Sequence, residues 1–432
     1  MWGIAFRARQ FAKGSLWLLP LIGAVLGVVL GSIAIDLDKH AHLSQIWDYS
    51  PATATTLLSA VVGSTAALTG FVVTVSVLVV QMATQTFSAR YMRLWYRDGL
   101  LKATLAVLVG TLTFSFALLR RVSTDFVPNL GVTVAGLFLL AGILLFLLFL
   151  DRFIHRLRPV AVAALVARAG RRALEESPAT TAPVAAVDIP EGPPALHVTA
   201  ERAGAIQAID AEGLVRWAHR HDCVLVLRQA VGDFVPSGRV LMEVYGTVDA
   251  KPERQLRDLV AFGVERTIDQ DAGFAVRIMV DIANKALSPA VNDPTTAVQV
   301  LDHLEELLRV IGTTSLERRG ELRDDAGRLR VVVPSQRWED FLSLGVTEIR
   351  EYGAKSIQVL RRLRTLLEGL HDEVLEDYRP AVEEEMRRLD ATVEASFGGS
   401  VDHDRAVLAD RQGIGGPHTR EAPAQPSSRG TT

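Results

Sequence analysis

Residues 56–82 read TLLSAVVGSTAALTGFVVTVSVLVVQM, 27 residues without a charged side chain. About 20 predominantly apolar residues suffice for a helix to cross a hydrocarbon core of ~30 Å. This stretch therefore predicts a membrane helix, and three neighbours repeat the pattern, at 15–35, 101–119 and 127–150. The first is longer than the apolar part of a secretory leader and three spans follow it, so it reads as a span. The spans carry no ionisable group at depth, which argues against a proton pump or charge-coupled transporter.

Charge divides the chain the same way. Residues 1–160 hold 13 Lys and Arg against 6 Asp and Glu, and the remainder holds 33 against 43. A basic, apolar front joined to an acidic, water-loving back predicts a membrane part and a soluble part. Basic residues set the expected direction: Arg7, Arg9 and Lys13 precede the first span, Arg90, Arg93, Arg97 and Lys102 separate the second and third, and Arg152, Arg156 and Arg158 follow the fourth. The opposite loops hold Lys39, Arg120 and Arg121. The excess predicts a multi-pass protein of a bacterial inner membrane with both termini cytoplasmic. Cys223 is the single cysteine, so no intramolecular disulfide or cysteine-based metal site is available.

Span two has an unusual face. Ser59, Gly63, Ala66, Gly70, Thr74, Val77, Gln81, Gln85 and Ser88 recur in steps of three and four, a single helical stripe of small and polar residues. Two readings follow. The stripe is either a seam for close helix packing, with hydroxyls and amides bonding across, or the wall of a permeation path shared by several subunits. Residues 59–88 reach ~45 Å as one helix, more than the hydrocarbon core, so the helix is expected to protrude. Arg90, Arg93 and Arg97 beyond it are candidate anchors for anionic lipid headgroups.

The remainder reads as a juxtamembrane helix and Pro- and Ala-rich linker over 161–195, a small β-rich subdomain over 196–250, a helical domain over 251–397 and a disordered tail over 398–432. Strands are expected near 197–199, 205–209, 224–227 and 239–245, with a helix at 212–220. The fold class is mainly α: a four-helix transmembrane domain, a β-rich patch, then a helical cytoplasmic domain.

Several strings occur together: QTFSAR at 85–90, GAIQAID at 204–210, GDFVPSG at 232–238, ERTIDQD at 265–271 and DIANKALSPAVNDP at 281–294. With them the chain resembles the bacterial membrane-protein family known as domain of unknown function 2254, over about residues 10–375. Ala89 stands where that family often has proline, and Ala205 where it often has an aromatic. The resemblance implies a membrane protein with a cytoplasmic domain and brings no established activity.

Two candidate sites follow in the soluble half. Arg266, Gln270, Gly273, Arg277, Asp281, Asn284 and Ser288 fall in steps of three and four, as a helical stripe rich in i,i+4 ion pairs. SPAVNDPTT, residues 288–296, then offers Ser288, Asn292, Asp293 and Thr296 as polar groups. Asp293 before Pro294 is also good helix-start chemistry, which makes the stretch a helix–turn–helix corner. A ligand site requires a further wall of polar atoms. His219 to Asp222 lacks a ligand set for a metal.

No catalytic constellation is legible, so an enzyme is not expected. Neither a cofactor nor a nucleic-acid partner is indicated. The leading expectation is a homo-oligomeric pore or permeation protein whose cytoplasmic part assembles or gates it, with an ion or small molecule as permeant. The alternative is a membrane-anchored sensor or scaffold that binds a ligand or protein through the soluble stripe and corner.

Overall fold

A computed structural model describes residues 2–40, 48–86, 98–156, 158–176, 192–247, 252–316 and 320–416. The chain divides into two compact units, one of residues 1–162, 182–267 and 322–333, the other of 163–181, 268–321 and 334–432.

The first unit opens with α1 (Trp2–Gly14), separated by a short joint from α2 (Leu18–His40). Then come α3 (Pro51–Thr86), α4 (Gly99–Leu119) and α5 (Asn129–Arg156). Helices α2 to α5 are the four long and apolar enough to cross a membrane. At 36 residues, α3 extends about 54 Å. Helix α4 is central and packs on α2, α3 and α5. The α2–α4 seam is close because of glycine: a Cβ on Gly23 falls 2.2 Å from the Ala106 carbonyl oxygen, and one on Gly27 falls 2.2 Å from both the Gly110 carbonyl oxygen and Thr113 Oγ1. Thr113 Oγ1 donates across the seam to the Ala24 carbonyl at 3.0 Å. At the far end, Asp38 accepts from the amides of Leu130 and Gly131, satisfying orphan donors at the start of α5.

The β-rich part of this unit holds β1 (Leu196–Thr199), β2 (Gly204–Ile209), α7 (Ala211–Arg220), β3 (Val224–Leu227), β4 (Phe234–Val235), β5 (Val240–Tyr245), α8 (Glu253–Arg257) and β6 (Val260–Gly263). Helix α6 (Pro159–Glu176) precedes them in the chain. Two strands arrive from later in the sequence, β7 (Glu321–Arg323) and β8 (Leu329–Val332). The sheets run β1-β5-β3-β8-β7 and β4-β2-β6, with β3 and β8 parallel. Ile206, Leu214, Trp217, Leu225, Met242 and Val331 lie in their shared core. The boundary expected at residue 250 is thus corrected at two places. β6, β7 and β8 belong with the β-rich part, since a core of some 50 residues is marginal alone and gains apolar cover from them.

The second unit holds α6 from Ala163 onward, then α9 (Ala272–Leu287), α10 (Pro294–Gly312), α11 (Trp338–Tyr352), α12 (Ile357–Glu373), a 3₁₀ turn (Glu376–Tyr378), α13 (Arg379–Phe397) and α14 (His403–Ala406). Gly170 lets α6 lie against Ala275 of α9 and Leu307 of α10. The stretch 398–416, expected as disordered tail, folds instead. Arg361, 2% exposed, donates to the carbonyls of Leu408 and Gly416, each at 3.0 Å. The Asp410 carboxylate accepts from the amides of Gln412, Gly413 and Gly415. Residues 417–432 lie outside those described.

Candidate functional site

Span two is the least enclosed of the four: 17% of its membrane-length window is buried, against 44% for α4. Its buried positions are Ala54, Leu58, Val61, Thr65, Val72 and Val79, one line toward α4 and α5. Ser59, Gly63, Ala66, Gly70, Thr74, Val77 and Gln81 are all exposed, on the opposite side of the helix. A Cβ added at Gly63 or Gly70 meets nothing within 4 Å. The stripe is therefore no seam within the subunit. The hydroxyl of Thr74 donates to the Gly70 carbonyl at 2.9 Å. Of Gln85 only the backbone is described, and Ser88, Arg90, Arg93 and Arg97 lie outside the described residues.

Composition sets this face apart. Where α2 and α5 are exposed they present bulky apolar groups: Ile22, Val25, Leu26 and Val29 on α2, and Leu137, Leu140, Leu144 and Leu147 on α5. Such side chains fill contact with lipid tails, whereas small residues on a membrane helix allow another backbone to approach.

The soluble stripe is shorter than its spacing suggested. Asp271 caps α9 by accepting from the Phe274 amide at 2.9 Å, and the helix begins at Ala272. Arg266 and Gln270 precede it and do not share its face, because an N-cap residue has left helical geometry. Within α9 the polar groups close on each other. Arg277 donates through Nε to Asp281 at 2.7 Å and through both terminal nitrogens to Glu348 of α11, at 2.5 and 2.7 Å. Asn284 Nδ2 also reaches Glu348, at 2.7 Å, while Asn284 Oδ1 is buried without a hydrogen-bond partner. The Glu348 hydrogen bonds, with those to Asp281, outweigh burial and push the Arg277 pKa further up. This is an α9–α11 clamp with its charges paired.

The SPAVNDPTT segment forms the corner between α9 and α10. Asn292 takes a left-handed φ of 48°. Its amide donates to the Ser288 carbonyl at 2.8 Å, and the Asp293 amide donates to that of Ala286 at 2.8 Å. Asp293 caps α10, accepting from the Thr296 amide at 3.0 Å and its hydroxyl at 2.5 Å. Ser288 Oγ donates to the Lys285 carbonyl at 2.7 Å. The Ser288, Asp293 and Thr296 side chains are thus occupied in making the turn.

Three features escaped the sequence reading. Gly23, Gly27 and Gly31, spaced by four, were a legible signal for the α2–α4 seam. His219, set aside as a metal ligand, instead meets Asp324 at 2.9 Å, and Arg330 bridges Asp324 and Asp222 at 2.8 and 2.9 Å, tying α7 to the β7–β8 turn. Burial works against the Asp324 charge, but His219, Arg330 and the Arg328 amide more than offset it, holding the carboxyl well below the usual range. Cys223 beside them is buried and its thiol pKa is pushed up to about 11, chiefly by burial. The third is the Arg361 clasp on 398–416.

Fold and composition define a four-span integral membrane protein with a substantial part outside the bilayer. The chain belongs to the family described as "Predicted membrane protein (DUF2254)", whose model matches residues 13–369. It is 28% identical over 421 residues to uncharacterized proteins of Mycobacterium tuberculosis and Mycobacterium bovis, an alignment spanning 92% of this chain and 80% of each relative. No solved structure matches it.

Proposed function

We propose that the protein is a homo-oligomeric permeation protein of the bacterial inner membrane, not an enzyme, in which α3 of each subunit faces its neighbours along a shared path. Both termini lie in the cytoplasm, as the basic flanks favour, and the second unit assembles or gates the membrane part. One observation carries this reading: the small and polar side of α3 is turned away from its own bundle, where Gly63 and Gly70 have open space. A lipid-facing helix gains nothing from that composition, whereas a second α3 could approach closely. The closed Arg277–Glu348 clamp gives no comparable support to a ligand-binding scaffold.

The test uses the single buried cysteine to advantage. In a Cys223→Ser background, Gly63→Cys or Gly70→Cys should give covalent dimers with a short bis-maleimide in the membrane, and Leu140→Cys on the lipid side of α5 should not. Reconstituted wild-type protein should pass a monovalent cation above the empty-vesicle rate. Absence of α3 cross-links sinks the oligomer. Cross-links without flux, across salts and pH, sink the path and leave a scaffold.

A further inference from the structure

A cavity of about 410 Å³ lies within the first unit, between the α1–α2 joint, α3 and α4. Its walls include Leu16, Trp17 and Pro20 at the joint, Val73 and Ser76 on α3, and Leu105 on α4. The volume is in the range of small-molecule sites. Its lining on α3 runs from Thr69 to Val80, a length of about 16 Å along the axis, which is the depth of one leaflet of a ~30 Å hydrocarbon core. The wall hydroxyls are spent locally: Thr69 donates to the Thr65 carbonyl at 2.7 Å and Ser76 to that of Val72 at 2.7 Å. The cavity therefore shows an apolar interior to its occupant.

Its mouth is built differently. Helix α1 carries Arg7, Arg9 and Lys13 and no acidic residue. It is fixed at both ends. Lys102 Nζ donates to the carbonyls of Ala12 and Lys13, at 3.2 and 2.6 Å, and the Gly3 amide donates to the Asp258 carbonyl beside β6 at 2.9 Å. Phe11 and Trp17 stack edge to face, 60% and 57% exposed, as amphipathic and apolar rings do at a headgroup boundary. Ser15, at the joint itself, is 8% exposed, and its buried hydroxyl has no partner among the described residues.

We infer that this groove is a binding site for an anionic phospholipid, with one acyl chain lying along α3 and α4 and the phosphate held at the positive α1. The apolar depth matches a single leaflet and the basic helix supplies charge complementarity. The groove borders the exposed stripe at Val77, but its lipid retention is measured apart from flux and from α3 cross-linking, so the two readings fail separately.

The experiment uses the full-length protein in mild detergent with added phosphatidylglycerol or phosphatidylcholine of one chain length, and native mass spectrometry counts retained lipid. Wild type should retain phosphatidylglycerol at least about five-fold over phosphatidylcholine. Val73→Trp or Ser76→Phe, which fill the groove, should reduce retention of both at least five-fold, while Leu140→Trp, on the exposed side of α5, should not. Arg9→Gln with Lys13→Gln should remove the headgroup preference and leave chain binding. An unchanged thermal midpoint confirms that each variant is folded; if one groove variant unfolds, the other carries the test. Equal retention in wild type and the folded groove-filled variant overturns the site, and equal retention of the two lipids by wild type overturns the anionic assignment.

Discussion

The same substitution, glycine to valine, should have opposite consequences on two faces of the membrane bundle. At Gly27 a Cβ starts 2.2 Å from the Gly110 carbonyl oxygen and Thr113 Oγ1, and the first of these is backbone that cannot rotate aside. Restoring ordinary contact near 3.5 Å requires α2 to move off α4 by roughly 1 Å, and a gap of that size forfeits about a quarter to a half of the local dispersion energy. The Thr113 to Ala24 hydrogen bond is lost with it, about 0.6 kcal/mol in a membrane setting. Overpacking of this kind costs about 1–3 kcal/mol, so Gly27→Val should destabilise by about 2 kcal/mol, some 30-fold in the folding equilibrium. Gly70→Val has open space and should leave the isolated subunit within about 0.5 kcal/mol of wild type, the usual range for exposed sites. It should nevertheless abolish α3 cross-linking. The measurement is unfolding by sodium dodecyl sulfate in mixed micelles, followed by tryptophan fluorescence at a dilution where subunits are separate. If Gly70→Val costs as much as Gly27→Val, the stripe faces its own bundle and the reasoning fails.

Further outcomes follow from the soluble parts. Glu348→Ala removes two bonds to Arg277 and one to Asn284 while Asp281 remains, so a loss of about 2 kcal/mol is expected in chemical denaturation; a loss below 0.5 would show the clamp to be solvent-screened. Asn292→Val forces a β-branched residue to φ 48° and should cost about 1–2 kcal/mol, whereas Asn292→Gly should be close to neutral. The Asp324 carboxyl is held below its usual pKa, so its stabilising effect is complete above about pH 4 and is lost as pH falls toward the folded-state value. Amide protection over 321–332, taken relative to the intrinsic exchange rate at each pH, should therefore fall in acid for wild type, and Asp324→Asn should show the lower protection at neutral pH too. The Cys223 thiol, with its pKa raised to about 11, should resist maleimide at pH 8 until the protein unfolds. Its contribution to stability is complete below about pH 8.5 and falls as pH rises toward 11.

What the sequence could and could not convey has physical causes. The spans were legible because membrane crossing depends on apolar length, and the observed helices differ from the expected ones mainly at their ends. The stripe was legible as a periodicity, but its direction was not, because that depends on which side of α3 meets α4. Continuing the soluble stripe back to Arg266 failed because steps of three and four do not reveal where a helix starts; Asp271 was the cap that ends the register. Folding of 398–416 was hidden for another reason. Gly-rich, charged sequence lacks an apolar pattern, yet here backbone carbonyls serve as acceptors for the buried Arg361, and composition does not register that role. Residues 323–334 were legible as a break in the helical pattern, but their membership of the other unit was not, since it rests on long-range contacts: parallel pairing with β3, Val331 in the shared core and the His219–Asp324 contact.

The way α3 satisfies its own polar groups bears on how it could assemble. A seam glued by interhelical hydroxyl bonds leaves a lone subunit with unmet donors in hydrocarbon, which is costly. Here Thr65, Thr69, Thr74 and Ser76 each donate back to a carbonyl of α3, three or four residues earlier. Such back-bonding removes the donor and leaves lone pairs facing outward. A single subunit can therefore stand in lipid without a polar penalty from these groups. Under the proposed assembly, association would draw on close backbone approach at Gly63 and Gly70, a weaker and more readily reversed attraction than polar glue. On the stripe, Thr74 thereby presents an acceptor, whereas Ser59 and Gln81 carry groups able to donate as well as accept, so the composition of this face does not by itself select the charge of a solute.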